Sequence, residues 1–419
     1  MDNRDRRAIV GPMERVADIL IAGGGLVGPA LALALAQAGF AVTVIDARPA
    51  GPRAARGFDG RAYALALGSV RMLAALGVWP ALAGAAQPIL GIRTSDGRPG
   101  EGVSPLHMAF DAAEIEEGPM GQMVEDRFVH AALTEALAGA GALHITGDAV
   151  VAQAVEAGGV AVTLASGRVM RAGLLAGCDG RGSGVAARAG IRRTGWDYGQ
   201  TALVAAIEHA RPHGGVAHQV FLPAGPLAIL PLQGNRSSIV WAERAAAART
   251  IAALGDTEYM ALLRPRIGDF LGEIALVGDR FTYPLSLSLA ERWHAPRVVL
   301  AGDAAHGVHP IAGQGLNLGL RDAAALAEVL AAARRRGEDW AAASVLARYE
   351  GWRRGDTVAL ALGMDAVNRL FSNDNPLIRA ARDLGMGAVS AMPGLRRAFI
   401  REAAGLTGAL PALMQGRPI

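Results

Sequence analysis

Apolar residues come in short blocks separated by glycine at the start of the chain. Residues 18–22 (Asp-Ile-Leu-Ile-Ala) are an apolar run of strand length, and three glycines, Gly23, Gly24 and Gly25, follow. Residues 26–38 are rich in Ala and Leu at helical length, and 42–45 (Val-Thr-Val-Ile) read as a second strand. No charge falls between Ile19 and Ile45, which imitates a membrane span or a secretion signal, with Ala36-Gln37-Ala38 as a mock cleavage site. The glycines and Pro29 instead divide the run into a buried strand and a buried helix. Residues 69–76 and 127–138 carry helical patterns, each followed by glycine. Segments 149–155, 160–165 and 169–178 are β-type and joined by Gly158-Gly159 and Ser166-Gly167, the pattern of a meander. Segments 220–222, 227–232 and 238–241 continue the strand character, and helical periodicity returns at 315–336 and dominates to the C-terminus. The order predicts an α/β protein: a Rossmann-type nucleotide-binding domain interrupted by a β-sheet domain, with a C-terminal helical region.

Composition narrows the chemistry. At 419 residues the chain is long enough for two or three domains of ~150 residues each. All 41 basic residues are Arg, which removes Schiff-base and P-loop chemistry, both of which need lysine. A net charge of +3, with both signs interspersed, is no nucleic-acid footprint. The sole cysteine, Cys178, allows neither a disulfide framework nor a thiolate metal site, and points to a cytoplasmic protein.

Three motifs carry candidate chemistry. Gly23-x-Gly25-x-x-Gly28 sits between strand and helix, with Asp46 ending the next strand. Gly23 permits the tight turn, Gly25 lets backbone approach a pyrophosphate, Gly28 allows close packing, and Asp46 suits ribose hydroxyls rather than a 2′-phosphate. The ligand read from this motif is FAD or NAD. The second motif, Leu174-Leu-Ala-Gly-Cys178-Asp179-Gly180-Arg181-Gly182-Ser183, is a buried strand running into an Asp-Gly turn. In the third, a buried strand ends at Gly302-Asp303, and His306, His309 and Pro310 lead into Gly313-Gln314-Gly315-Leu316-Asn317, which opens a long helix. A helix start of that kind suits a group that becomes anionic. His306 and His309 lack the further ligands of a metal site and read as structural or flavin-flanking, so no metal is expected.

Together these residues resemble the class A flavoprotein monooxygenases. Within that class, His309-Pro310-Ile-Ala-Gly313-Gln314-Gly315-x-Asn317-x-Gly319-x-x-Asp322 resembles the signature of the ubiquinone-biosynthesis hydroxylases. The resemblance implies FAD as cofactor, NADPH or NADH as transient reductant, and dioxygen as co-substrate. The implied reaction is hydroxylation of a polyprenylated phenol through a flavin C4a-hydroperoxide. Carried over, Gly23, Gly25, Gly28 and Asp46 hold the AMP half. Arg61 and either Gln122 or Arg127 reach the pyrophosphate or ribityl chain, and Asp179 lies near the pyrophosphate. Asp303 binds ribityl hydroxyls, while Gly313, Gln314, Gly315 and Asn317 approach the isoalloxazine. Two positions depart from the pattern: Ala186 stands where an Arg usually follows the Asp-Gly motif, and Asp126 stands where an Asn usually follows Glu125. Phe221, Leu227, Ile229, Leu230 and Trp241 are candidates to line an apolar pocket.

The expected division is a leader at 1–16, an FAD-binding domain at 17–80, 107–195 and 285–356, a substrate sheet at 81–106 and 196–284, and a helical tail at 357–419. Arg-flanked apolar helices in the tail suggest either a cover packed on the FAD domain or peripheral attachment to the inner face of the cytoplasmic membrane. A flavin-dependent reductase of prenyl chains, or a catalytically silent flavoprotein partner in a quinone-synthesis complex, are the alternative functions. No nucleic-acid partner is expected.

Overall fold

The computed structural model describes residues 17–49, 51, 58–98, 102–372 and 376–419; the expected leader at 1–16 lies outside them. The opening segments form the centre of a six-stranded sheet. Its order is His294–Ala295, Val298–Leu300, Leu174–Gly177, Ile19–Ala22, Val42–Asp46 and Leu143–Thr146. The last five of these strands run parallel, in the register Ile19↔Leu174 and Ile19↔Val42. Ile19–Ala22 and Val42–Asp46 are buried at every residue, as expected for parallel strands covered on both faces. The helix Val27–Gln37 packs on this sheet, Gln314–Arg335 packs on that helix, and both share the sheet's core.

The expected meander is corrected at its third segment, which divides at Gly173. Val169–Ala172 completes a three-stranded sheet with Val150–Glu156 and Gly159–Leu164, while Leu174–Gly177 enters the parallel sheet. The cause is local. The Gly173 and Leu174 N–H groups both donate to Asp18 O (2.9 and 3.3 Å), and a Cβ on Gly173 would stand 2.7 Å from the Trp340 ring.

The middle of the chain builds an eight-stranded sheet with two 17-residue strands, Arg193–His209 and Ile274–Ala290, paired antiparallel near one edge. The expected boundaries at 107, 196 and 285 fall inside the strands Gly102–Asp111, Arg193–His209 and Ile274–Ala290. Arg193–His209 and Ile274–Ala290 pair along most of their length, interrupted by register shifts at Asp197/Gln200 and Val204/Ala206. One face of this sheet is closed by the helices Ala245–Ala252 and Asp256–Ile267, with Leu203, Leu227, Ile229, Ile239 and Trp241 buried against Tyr259 and Leu263.

The tail is helical, and Pro376 and Pro393 stand at helix starts as the sequence implies. The expected cover on the nucleotide-binding unit is found at the end of the tail, where Leu413 and Met414 join that unit's core and Arg321 donates to Thr407 O, but not in its middle. The helix Ala343–Phe371 starts on that unit, but Pro376–Ala391 packs on the strands Gly91–Arg98 and Gly102–Asp111. A buried Arg382–Asp96 pair at 2.6 Å fastens it there. Ile400 and Ala404 then bury against Ala112, Ile115 and Met120. Among the described residues, no helix is long and apolar enough to cross a membrane.

Candidate active site

The three glycines of the first motif do different work. A Cβ on Gly23 would stand 2.2 Å from Cys178 O, and one on Gly28 would stand 2.0 Å from Gly23 O, so both positions are closed by backbone. A Cβ on Gly25 would meet nothing within 4 Å. Gly25 is the position open to a ligand. The helix beginning at Val27 has no side-chain cap, so its first N–H groups remain available there. Asp46 lies at the end of the adjoining strand, against Gly24. It accepts hydrogen bonds from Arg48 N–H, Nε and Nη2 at 3.1, 3.2 and 3.2 Å.

A second helix start faces the same space. Gly313 has φ +64° and precedes the helix Gln314–Arg335, which also lacks a side-chain cap. Asn317 holds this turn in place: its Oδ1 accepts from Ala66 N–H and Ser69 Oγ (both 2.8 Å). Its Nδ2 donates to Ala64 O (2.9 Å) and Gly313 O (3.0 Å). That amide is saturated by protein groups, so its work is to shape the turn. Asp303 pairs with Arg181 Nε at 3.1 Å. Arg181 also donates to Val308 O (2.7 Å) and Ser286 O (3.1 Å).

Between the two starts lies a cavity of about 590 Å³. Gly25, Gly180, Asp303, Pro310, Gly313, Gln314, Gly315 and Asn317 line one end, and Ile89, Ile92, Phe221, Ala228, Leu230 and Val240 line the other. Of the five candidate pocket residues, Phe221 and Leu230 thus face the cavity. Leu227, Ile229 and Trp241 do not; they lie on the opposite face of the sheet under the two helices. Strand alternation explains the split, because side chains of odd and even position point to opposite faces.

Other expected residues are engaged elsewhere. Arg61 is held by Asp59 (2.6 Å) and Asp126 (3.7 Å), and Arg127 by Glu125 (2.7 Å). Neither they nor Gln122 reach the cavity wall, although Gly121 beside Gln122 does. The Asp179 carboxylate turns back on its own loop, accepting from Ser183 Oγ (2.5 Å) and Val185 N–H (3.0 Å). His306 is fully buried on Asp322. His309 lies edge-on to Tyr198, with ring centroids 5.1 Å apart. Burial, reinforced by Arg181, pushes the His309 imidazole down to about 4, so it is neutral at physiological pH.

Arg181 and Tyr63 are among the lining residues that escaped the sequence reading. Arg181 immediately follows the Asp-Gly pair, and its charge beside that turn was the available signal. Tyr63 left none. Its ring lines the cavity while its hydroxyl donates to Asp126 at 2.9 Å. Burial, with Asp126 beside it, pushes the phenol above its usual range. Burial likewise raises the Cys178 thiol.

The residues present fit a dinucleotide such as FAD: backbone open at Gly25, two uncapped helix starts on one cavity, and an acid at the strand end. Residues 16–360 match the FAD binding domain family. The chain is 46% identical to ubiquinone hydroxylase UbiL of Rhodospirillum rubrum, covering 98% of this chain and 95% of that protein. It is 37% identical to the 3-demethoxyubiquinol 3-hydroxylase of Escherichia coli (93% and 98% covered). It is 30% identical to the rat mitochondrial ubiquinone biosynthesis monooxygenase COQ6 (93% and 91% covered). Among solved structures, p-nitrophenol 4-monooxygenase PnpA of Pseudomonas putida shares the fold, with a TM-score of 0.78 at 21% identity over 94% of this chain and 99% of that one. The chain belongs to the ubiquinone-biosynthesis hydroxylase family of FAD-dependent class A monooxygenases.

Proposed function

We propose that this protein hydroxylates the aromatic ring of a polyprenylated phenol. The observation that carries the reading is a cavity that joins the two glycine turns at one end to an apolar sheet wall at the other. When bound and reduced by NADH or NADPH, FAD supplies the means of inserting one atom of dioxygen into an electron-rich ring. The protein's own share is to bind, orient and exclude water. Gly25 and the start of the Val27–Gln37 helix would hold the pyrophosphate, with Asp46 on the ribose. Asp303, paired with Arg181, would hold ribityl hydroxyls, and the backbone N–H groups after Gly313 would meet charge developing on the ring system. Ile89, Ile92, Phe221 and Leu230 would exclude water around the phenol and fix its face.

Quinone-intermediate profiling of a deletion strain tests this. Accumulation of a precursor lacking one ring hydroxyl is the expected result. An intact ring with an altered prenyl tail would favour the reductase alternative, and loss of several steps at once would favour a silent partner in an assembly.

We also infer peripheral attachment to a membrane through the tail, where Met392, Leu395 and Phe399 are 50%, 40% and 49% exposed. Arg369, Arg382, Arg396 and Arg401 pair with Asp365, Asp96, Glu114 and Glu117. The expected basic flank is therefore largely spent inside the protein, and attachment would be apolar in origin. Liposome flotation should then be insensitive to salt; no flotation at any ionic strength contradicts the inference.

A further inference from the structure

Asp322 belongs to the third motif but takes no part in lining the cavity. It is fully buried in the Gln314–Arg335 helix. Its carboxylate accepts three hydrogen bonds: from Gly302 N–H at 3.1 Å, from Arg353 Nε at 3.0 Å, and from His306 Nε2. Arg353 and His306 are equally buried. Arg353 donates Nη2 to Thr357 Oγ1 at 3.1 Å, and the His306 ring lies on Trp293 with centroids 5.2 Å apart. His306 Nδ1 is buried without a hydrogen-bond partner. Burial opposes the charge on Asp322, yet His306, Arg353 and the Gly302 N–H together hold its carboxyl below the usual range.

Such a group is a poor source of net stability, because apolar residues of the same volume often serve as well or better. What it supplies is geometry. One of the three bonds ends on Gly302, which has φ +63° and immediately precedes Asp303. The other side of the turn is held by Arg193, which donates to Asp303 O at 3.0 Å and to Ala304 O. The Asp303 backbone is therefore clamped from two directions while its side chain remains at the cavity.

We propose that Asp322, oriented by Arg353 and His306, is a positioning residue that fixes the Gly302 turn and so aims the Asp303 carboxylate at the cofactor. Arg353 lies on the long helix Ala343–Phe371, so that helix would also help set cofactor affinity. The proposal rests on the reading that FAD occupies the cavity.

The test is a double-mutant cycle on folded apoprotein, with FAD affinity read by quenching of flavin fluorescence. Asp322→Asn should weaken FAD about tenfold or more, since a charge-assisted clamp on the turn is lost. Combining it with Asp303→Ala should cost no more than Asp303→Ala alone, because both changes remove the same contact. Arg353→Met serves the same cycle if Asp322→Asn does not fold. Asn368→Leu is the control: it removes a buried polar group on the same helix as Arg353 whose partners are Gln200 and Ser372 rather than residues of the Gly302 turn, and should leave FAD affinity unchanged. Additive losses, or wild-type affinity in folded Asp322→Asn or Arg353→Met, would overturn the proposal. Failure of the wild-type protein to bind FAD would instead defeat the functional reading on which it rests.

Discussion

The same small substitution at two glycines of one motif should have opposite consequences. Gly28→Ala places a methyl 2.0 Å from the Gly23 carbonyl oxygen, where an ordinary C···O contact needs roughly 3.3 Å. The oxygen is backbone and the methyl is fixed directly to the backbone at Cα, so the glycine turn and the helix must separate by about 1 Å in a packed core, at a cost of roughly 1–3 kcal/mol or more. Gly25→Ala adds a methyl that meets no protein atom within 4 Å, at a residue outside the left-handed region. The apoprotein should therefore be as stable as wild type, or gain roughly 0.4–1 kcal/mol from a less flexible unfolded chain. That methyl does occupy the space reserved for a pyrophosphate. Losing one or two charge-assisted hydrogen bonds at roughly 1.5–3 kcal/mol each should weaken FAD by at least about tenfold. Urea unfolding of each apoprotein, followed by FAD titration, separates the two effects. Tight FAD binding by Gly25→Ala, or an undiminished urea midpoint for Gly28→Ala, would refute the division of labour.

Three further outcomes follow from the geometry. Asp303→Ala should cost FAD affinity roughly 1.5–3 kcal/mol with the fold retained; unchanged affinity by titration would remove Asp303 from the cofactor site. Phe221→Ala or Leu230→Ala should raise KM for the phenol. Trp241→Ala, on the far face of the sheet, should instead cost roughly 3–5 kcal/mol of stability with KM unchanged in whatever folds; the reverse pattern would mean the sheet faces are misassigned. Arg382→Met breaks the buried pair with Asp96 and should cost roughly 3–5 kcal/mol, released locally as faster proteolysis between Phe371 and Pro393. Equal cleavage rates in the two proteins would show that this pair does not fasten the tail.

Periodicity and glycine placement made the nucleotide-binding half legible. The run from Asp18 to Asp46 contains strand, turn, helix and strand in order, with both strands buried throughout and the helix buried from Gly28 to Leu35. The strands Gly91–Arg98 and Gly102–Asp111 gave no such signal, because Arg93, Thr94, Ser95 and Asp96 interrupt any apolar pattern. Asp96 is tolerated there with the help of Arg382, which arrives from 286 residues away, and of the Gly97 N–H. Leu227, Ile229 and Trp241 were recognisable as buried, but one strand offers two faces, and the choice between cavity and helix cover depends on tertiary packing. Motif positions likewise showed which residues gather at the site without showing where each side chain points. Asp179 turns to its own loop, Asn317 to the backbone, and His306 to Asp322. Asn317 finds partners far along the chain, at Ala64, Ala66 and Ser69, and His306 finds its partner at Asp322. Asp179 instead takes Ser183 and Val185 of its own loop, a choice that motif spacing alone does not settle.

The central claim, ring hydroxylation by an FAD-dependent enzyme, is tested most directly by supplying the flavin-loaded protein with NADH or NADPH, a polyprenylated phenol and isotopically labelled dioxygen. The account predicts that the ring gains one labelled oxygen atom for each reductant oxidised in productive turnover, and that oxidation accelerates when the phenol is present. Reductant consumption with no label in the ring, or reduction of the prenyl tail without oxygen uptake, would contradict it.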